Sequence, residues 1–396
     1  MLKEEIKKLI PQPLLKLYHF LWAFVGAVVF GFPGQSRKIK IIGVTGTSGK
    51  STTVDFIARI LEEAGHKVAS ISSIRFKIGQ NEWQNKYKMT MPGRFVIQKF
   101  LHQALNENCS FVVLEVTSEG IRQFRHKFIH FDTAVFTNLS KEHIESHGSF
   151  ENYRNEKLKL FKATKNIHVI NADDGNAQYF LNISAKRKIT FSCKDSAINL
   201  TLEGTFNRCN AACAIAVAKV YGVDKVICVA ALSKVKMIPG RMEVVSPAGG
   251  PKIIVDYAHT PDQLESVYVS IKKPSSQLIC VLGSCGGGRD KWKRPVLGQI
   301  AEQYCDRVFL TNEDPYDEDA LSIIKEVASG IKNSANIEQT LDRKEAIEKA
   351  IATAKPEDTV IITGKGSEPW MCLANGKKIP WDDRKIAREA LSKKVG

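Results

Sequence analysis

The stretch GVTGTSGKSTT, Gly43 to Thr53, follows the apolar run KIKIIG and precedes VDFIARILEEAG, whose apolar residues recur at helical spacing. Strand, glycine-rich turn and helix in that order build a cradle for phosphate. Gly46 and Gly49 let backbone N–H groups approach an anion, and the helix N-terminus favours negative charge. Lys50 can reach the β- and γ-phosphates, and the Ser51 hydroxyl suits Mg²⁺. The spacing is not that of the common loop G-x-x-x-x-G-K-[ST], because Val44 stands five residues before Gly49. The expectation is a nucleotide site on a shortened loop formed by Gly46, Thr47, Ser48, Gly49, Lys50, Ser51 and Thr52.

The chain has 396 residues, 43% hydrophobic and 25% charged, which suits about two globular domains. Its net charge of +15 favours anionic partners. The lysines are scattered and do not interleave with aromatics, so no nucleic-acid partner is expected. Nine cysteines stand at irregular spacing; Cys209 and Cys213 lie four apart on an expected helix, without a second pair at ligand distance. Buried free thiols in a reducing compartment are expected rather than a zinc site.

Leu17 to Ser36 carry no Lys, Arg, Asp or Glu. The helical part, about 16 residues before Pro33, would reach ~24 Å, short of a ~30 Å hydrocarbon core. No convincing cleavage site marks a signal peptide. Two expectations stand: peripheral contact of residues 17–36 with a membrane, or a hydrophobic helix packed on the protein or a partner.

Beyond residue 36 the pattern is α/β. KIKIIGV, KVASISS, FVVLEV, TAVFTNL and IHVINA read as strands separated by helical segments, which argues for a mostly parallel sheet. Ile238-Pro239-Gly240 is a breaker. KIIVDYA, QLICVLGS, RVFLTN and TVIITGKG then begin a second α/β set. The expected layout is a hydrophobic arm (1–36), an ATP-binding domain (37–239) and a smaller Rossmann-like domain (240–396). Glu115 ends the strand FVVLEV, where parallel sheets border their ligands. His143 follows TAVFTNL. A Glu and a His from adjacent strand ends can hold Mg²⁺ by a triphosphate.

The loop GTSGKST resembles the G-T-x-G-K-[ST]-[ST] loop of the Mur ligases and their folylpolyglutamate synthetase relatives. The resemblance runs from about residue 37 to 391 and includes LEVTSEGIRQFR, FTNLSKEHIESHGSFENYRNEKLKLF, GTFNRCNAACAIA, PGRME, DYAHTPDQLE, LGSCGGGRDKWKRP, TNEDPYDED and ITGKGSE. The tripeptide-synthetase branch is nearest. The resemblance implies an ATP-dependent amide ligase that activates a muramyl-peptide carboxylate as an acyl phosphate and joins it to an amino acid. It implies Lys50, Glu115, His143 and Lys157 as catalytic, with Ser51, Glu115, His143 and a carbamylated Lys157 as metal ligands. Asn207, Asn210, Arg241, Asp256, Tyr257 and His259 would complete the ATP site. Thr117, Ser118 and Arg125 would hold the sugar-peptide. Arg289, Glu313, Asp314, Gly364 and Glu368 would hold the amino acid. A cytoplasmic monomer with domain closure is expected, associated with the membrane if the arm touches it. Lys291 and Arg294 read as cations near the domain junction or as helix-surface charge.

Three departures stand out. About 36 residues precede the nucleotide-binding core, too few for a uridine-binding domain, so that domain is expected to be missing and the acceptor's carrier is open. The usual D-N-P-R appears as Glu313, Asp314, Pro315 and Tyr316, leaving diaminopimelate, lysine or another amino acid open. G-K-G-H-E appears as Gly364 to Glu368, and S-S-H as Thr117, Ser118 and Glu119. The alternatives are a folate or poly-glutamate ligase and a non-catalytic nucleotide-binding scaffold.

Overall fold

The apolar run before the glycine turn forms β1 (Lys40–Thr45), buried beyond Lys40. The computed structural model describes residues 11–87, 89–195, 200–246 and 250–395. Two units emerge. One comprises the described residues up to Lys141 with Gly148–Thr201 and Phe206–Val235. The other comprises Glu142–His147, Leu202–Thr205 and the described residues from Lys236.

The first unit is built on eight strands: β1, β2 (Val68–Ile71), β3 (Arg75–Ile78), β4 (Asn81–Gln84), β5 (Phe111–Glu115), β6 (Phe131–Phe136), β7 (Ile167–Asn171) and β8 (Arg187–Phe191). Their order is β4-β3-β2-β5-β1-β6-β7-β8. β2, β5, β1, β6, β7 and β8 pair in parallel, while β3 joins β2 antiparallel and forms an edge hairpin with β4. Gly79 (φ 56°) opens its two-residue turn, which suits the twist of a hairpin. The inner strands are buried on both faces, which is why they read as continuous apolar runs.

Five helices of this unit matter to the site: α1 (Gln12–Val29), α2 (Lys50–Glu63), α3 (Arg94–Asn106), α4 (Ser118–Arg122) and α5 (Phe150–Ala163). Helix α1 settles on α3 through Ala23, Gly26 and Ala27, all buried. Small side chains permit that approach: a Cβ at Gly26 would sit 3.6 Å from the Phe95 Cα. Phe20 and Phe24 pack edge-on or tilted against Phe128, and Trp22 packs against Phe95. The opposite face stays apolar and exposed, with Leu14, Leu17, Tyr18, Leu21, Val25, Val28 and Val29 in the open. Among the described residues, no helix is long and apolar enough to cross a membrane.

The second unit holds β9 (Glu243–Val244), β10 (Lys252–Val255), β11 (Leu278–Leu282), β12 (Arg307–Thr311), β13 (Ile337–Thr340) and β14 (Thr359–Ile362). Their order is β13-β12-β11-β14-β10-β9, parallel save for β9. A hairpin of β15 (Trp370–Cys372) and β16 (Lys378–Pro380) follows. The two α/β layers are those expected from the strand pattern. The cysteines differ from expectation: Cys193–Cys209 and Cys280–Cys305 form disulfides, and the other five do not. Their chain separations of 16 and 25 carry no spacing signal of pairing.

Candidate functional site

In the first unit the glycine-rich turn joins β1 to α2, with Gly49 in the left-handed region (φ 77°) as the N-cap. A side chain there would run into the Asn210 carboxamide, so glycine answers both conformation and space. The turn is braced from β6. Thr47 N–H donates to Asn138 O (2.9 Å) and Ser48 N–H to Asn138 Oδ1 (2.8 Å). Thr47 Oγ1 meets the Tyr153 hydroxyl at 3.1 Å. Thr52 is buried in the first turn of α2.

Lys50 Nζ donates to Thr47 O (2.7 Å) and stands 3.9 Å from Glu115 Oε1. Glu115 accepts from Ser51 Oγ (2.8 Å) and Ser73 N–H (2.9 Å). Lysine, hydroxyl and carboxylate thus converge at the C-terminal ends of β1 and β5. Lys157, on α5, is buried and donates to Gly46 O at 2.7 Å, with its ammonium 4.5 Å from the Tyr153 ring centroid. Asn207 and Asn210 lie in Thr205–Val220, with Asn210 Nδ2 donating to Asn207 Oδ1 (3.4 Å).

His143 is placed differently from the sequence expectation. β5 and β6 each pair with β1, so the strands preceding Glu115 and His143 are not neighbours. Residues 142–147 pack with the second unit, where the Ile144 and Glu145 amides donate to Asp290. His143 has a left-handed backbone (φ 58°), and its Nε2 lies 3.7 Å from Glu142 Oε2.

Thr117 caps α4 by accepting from Gly120 N–H (3.1 Å), and Ser118 is buried beside it. Arg125 is buried, donating to Met91 O and to Gln123 Oε1 (2.7 Å). Burial lowers its pKa to about 10, with the Arg94 charge adding to the effect.

In the second unit, Arg241 stacks over Tyr257 at 4.3 Å. Tyr257 Oη donates to Glu368 Oε1 (3.3 Å). Lys365 Nζ joins Glu368 Oε2 and Asp314 Oδ2, each at 2.8 Å. Asp256 accepts the Met242 and Ala258 amides, both at 2.7 Å, so its two oxygens hold a turn. His259 Nδ1 faces Tyr257 O (2.8 Å) and Nε2 faces Glu142 Oε1 (3.1 Å). Burial would raise the Glu142 pKa, but His143, His259 and Lys293 outweigh it and hold the carboxyl well below its usual range. Sequence reading missed Glu142, whose hydrogen-bond partner His259 lies 117 residues onward. Arg289 follows Gly287 and Gly288 on an exposed turn, within electrostatic range of Tyr257, Tyr316 and Glu142. Arg294 is not a helix-surface charge: it is buried and paired with Glu318 and Glu326, both at 2.9 Å.

The two acids of the Glu-Asp-Pro-Tyr segment divide their work. Asp314 spends one oxygen on Lys365 and the other on the Cys372 amide (2.7 Å). Glu313 is buried, lies against Gly364, and its Oε2 has no hydrogen-bond partner. Burial pushes its pKa up, against the pull of Arg343 and Lys365. Ionised Glu313 therefore disfavours folding. Stability should fall as pH rises from the ordinary carboxylate range through the raised value, with no penalty below that range. Glu313→Gln is predicted to stabilise the protein at pH about 7 and to be nearly neutral at pH about 4. Denaturant titrations at both values check this; a difference independent of pH would contradict it.

The profile of the Mur ligase middle domain matches residues 44–205, and that of the Mur ligase glutamate ligase domain matches residues 240–366. The chain is 36% identical to a UDP-N-acetylmuramoyl-L-alanyl-D-glutamate–2,6-diaminopimelate ligase of Syntrophomonas wolfei, over 94% of this chain and 82% of that one. It is 35% identical to a UDP-N-acetylmuramyl-tripeptide synthetase of Roseiflexus, over 97% and 84%. A solved structure of a UDP-N-acetylmuramoyl-L-alanyl-D-glutamate–2,6-diaminopimelate ligase superposes with a TM-score of 0.60 at 30% identity, covering 91% of this chain and 80% of that one. Phosphate cradle, acidic strand end and long sequence identity agree: the chain belongs to the Mur ligase family.

Proposed function

We propose that this ligase joins an amino acid to the carboxylate of a muramyl peptide, at the expense of ATP. The convergence of Lys50, Ser51 and Glu115 beside the glycine-rich turn carries the reading. An acceptor carboxylate oxygen attacks the γ-phosphorus while the bond to ADP breaks, giving an acyl phosphate. The amine then attacks the acyl carbon, the C–O bond to phosphate breaks, and the amine loses a proton. Lys50 and the turn's N–H groups balance charge on the transferring phosphoryl group. Ser51 and Glu115 supply hard oxygen donors that fit Mg²⁺ and would hold it there. Bound there, Mg²⁺ would neutralise charge between the β- and γ-phosphates. Asn207 and Asn210 face the nucleotide, Arg125 holds the acceptor, and Arg289, Glu368 and Glu313 receive the amino acid. Glu313 as the spare acid, with Tyr316 in place of a cation, favours an amino acid with a side-chain ammonium. ADP formation that requires both acceptor and amino acid tests the ligase reading; ADP formation indifferent to either would defeat it.

Buried Lys157 is proposed to carry a carbamate, which turns an ammonium into a carboxylate-like donor. Protein equilibrated with ¹³C-bicarbonate should show one carbamate resonance that Lys157→Arg removes. Its persistence in the variant would refute the assignment.

The exposed stripe of α1 is proposed to lie on an anionic bilayer surface. No Asp or Glu occurs from Ile6 to Val54, while Lys16, Arg37, Lys38 and Lys40 flank the stripe. Such a helix gains from apolar burial and from charge attraction together. Leu17→Glu/Leu21→Glu should reduce co-sedimentation with phosphatidylglycerol vesicles by about tenfold. Equal sedimentation of variant and wild type would remove the proposal.

A further inference from the structure

Two loops of the second unit hold each other by an exchange of bonds to backbone amides. Asp290 is buried, and its oxygens accept from consecutive amides: Oδ2 from Ile144 (3.2 Å) and Oδ1 from Glu145 (2.9 Å). Glu145 returns the bond, with Oε1 accepting from the Lys291 amide at 2.6 Å. Neither loop has a local reason to keep its shape. His143, just before the bonded amides, has φ 58°. A non-glycine residue holds that left-handed conformation when its surroundings impose it. Here Glu142 is tied to His259 on one side (3.1 Å), and Asp290 holds the other. Arg289, just before Asp290, follows Gly287 and Gly288, both left-handed (φ 68° and 75°). Glycine leaves the chain its widest freedom. One end of that turn rests on Tyr316, whose ring a Cβ at Gly287 would strike. The other end is fixed by Asp290. Glu142 also acts electrostatically on Arg289, so the loop bearing His143 helps to balance the Arg289 charge.

We infer that Asp290 is a positioning residue: one carboxylate sets the backbone beneath both His143 and Arg289, and so fixes the spacing of these two side chains. Both oxygens of Asp290 are spent on backbone amides, so it acts through the residues it holds. Removing the carboxylate releases the far end of the glycine turn, and Arg289 loses its register. The amino acid should then suffer more than ATP, because the phosphate cradle has its own braces in Asn138 and Tyr153. The assignment of Arg289 to the amino acid rests on the ligase reading; the mutual hold of the two loops does not.

The test compares the full chain with Asp290→Ala, Asp290→Asn and Glu145→Gln, by hydrogen exchange and by steady-state ADP formation. The assay contains UDP-muramoyl-dipeptide, ATP and Mg²⁺, with lysine and diaminopimelate as the amino acids. In Asp290→Ala, residues 143–145 and 287–291 should exchange together about tenfold faster, while residues 43–53 keep wild-type protection. The kcat/KM for the amino acid should fall about 10–100-fold. The KM for ATP should stay within about twofold of wild type, since uniform binding at the cradle is untouched. Asp290→Asn keeps one acceptor oxygen and should recover part of the loss. Glu145→Gln keeps its Oε1 and should behave as wild type. Asp290→Ala combined with Glu145→Ala should cost little more than Asp290→Ala alone, because both changes break the same hold. Cooperative thermal melting certifies each fold, and Asp290→Asn carries the same comparison if Asp290→Ala does not fold. Unchanged exchange in residues 287–291, additive losses in the double variant, or an ATP KM raised as much as the amino-acid KM overturns the proposal. Hydrogen exchange needs no turnover. A wild type that forms no amide therefore defeats the ligase reading, while exchange alone still upholds or overturns the role of Asp290.

Discussion

Lys50→Met is expected to lower kcat by about 10²–10³-fold while leaving the fold intact. The ammonium lies on the phosphate cradle, tied to the scaffold by its bond to Thr47 O (2.7 Å) and the 3.9 Å approach to Glu115. Glu115 keeps its bonds from Ser51 and Ser73 when Lys50 is removed, so no buried carboxylate is stranded. The loss should fall on the charge-developing step. Nucleotide affinity should weaken less than the rate, because the turn's N–H groups remain. Steady-state ADP formation, nucleotide titration and thermal melting separate these effects. A variant within about tenfold of wild-type kcat would show that Lys50 does not act on the transferring phosphoryl group.

Asp383→Asn should destabilise the second unit by about 3–5 kcal/mol. Asp383 and Arg343 are both fully buried and meet through two bonds, Nε to Oδ1 (3.0 Å) and Nη2 to Oδ2 (2.8 Å). The variant leaves a guanidinium without its charge partner in a dry interior. Arg343 also donates to Thr363 O (2.7 Å), and Thr363 leads into Gly364, Lys365 and Glu368. The damage should therefore reach the proposed amino-acid site, raising KM for the amino acid more than for ATP. Denaturant unfolding measures the stability loss. Hydrogen exchange across residues 363–368 reports whether that loop loosens. A change below about 1 kcal/mol would mean the pair is not the keystone its burial implies.

The strand pattern was legible because buried parallel strands are near-continuous apolar runs. FVVLEV became β5 and LICVL became β11 for this reason. The β3–β4 hairpin escaped notice: its outer strand, NEWQ, is wholly exposed and carries no apolar alternation. The cradle was legible because its glycines and Lys50 are contiguous in the chain. Long-range pairs were not. Asp314 and Lys365 are 51 residues apart, and nothing local shows that this lysine occupies the acid expected to face substrate. The strands ahead of Glu115 and His143 were read as adjacent from chain order, whereas β1 lies between β5 and β6. The amides of Ile144 and Glu145 are anchored by Asp290, about 145 residues onward.

The central claim is that acceptor carboxylate, ATP and amino acid react through an acyl phosphate. The most direct measurement follows ¹⁸O from a UDP-muramoyl-dipeptide labelled in its terminal carboxylate, with ATP, Mg²⁺ and a scan of amino acids. Mass spectrometry should find one ¹⁸O in the released phosphate for each new amide formed. Unlabelled phosphate accompanying amide formation would contradict the account, because the acceptor oxygen would then never have been bonded to phosphorus.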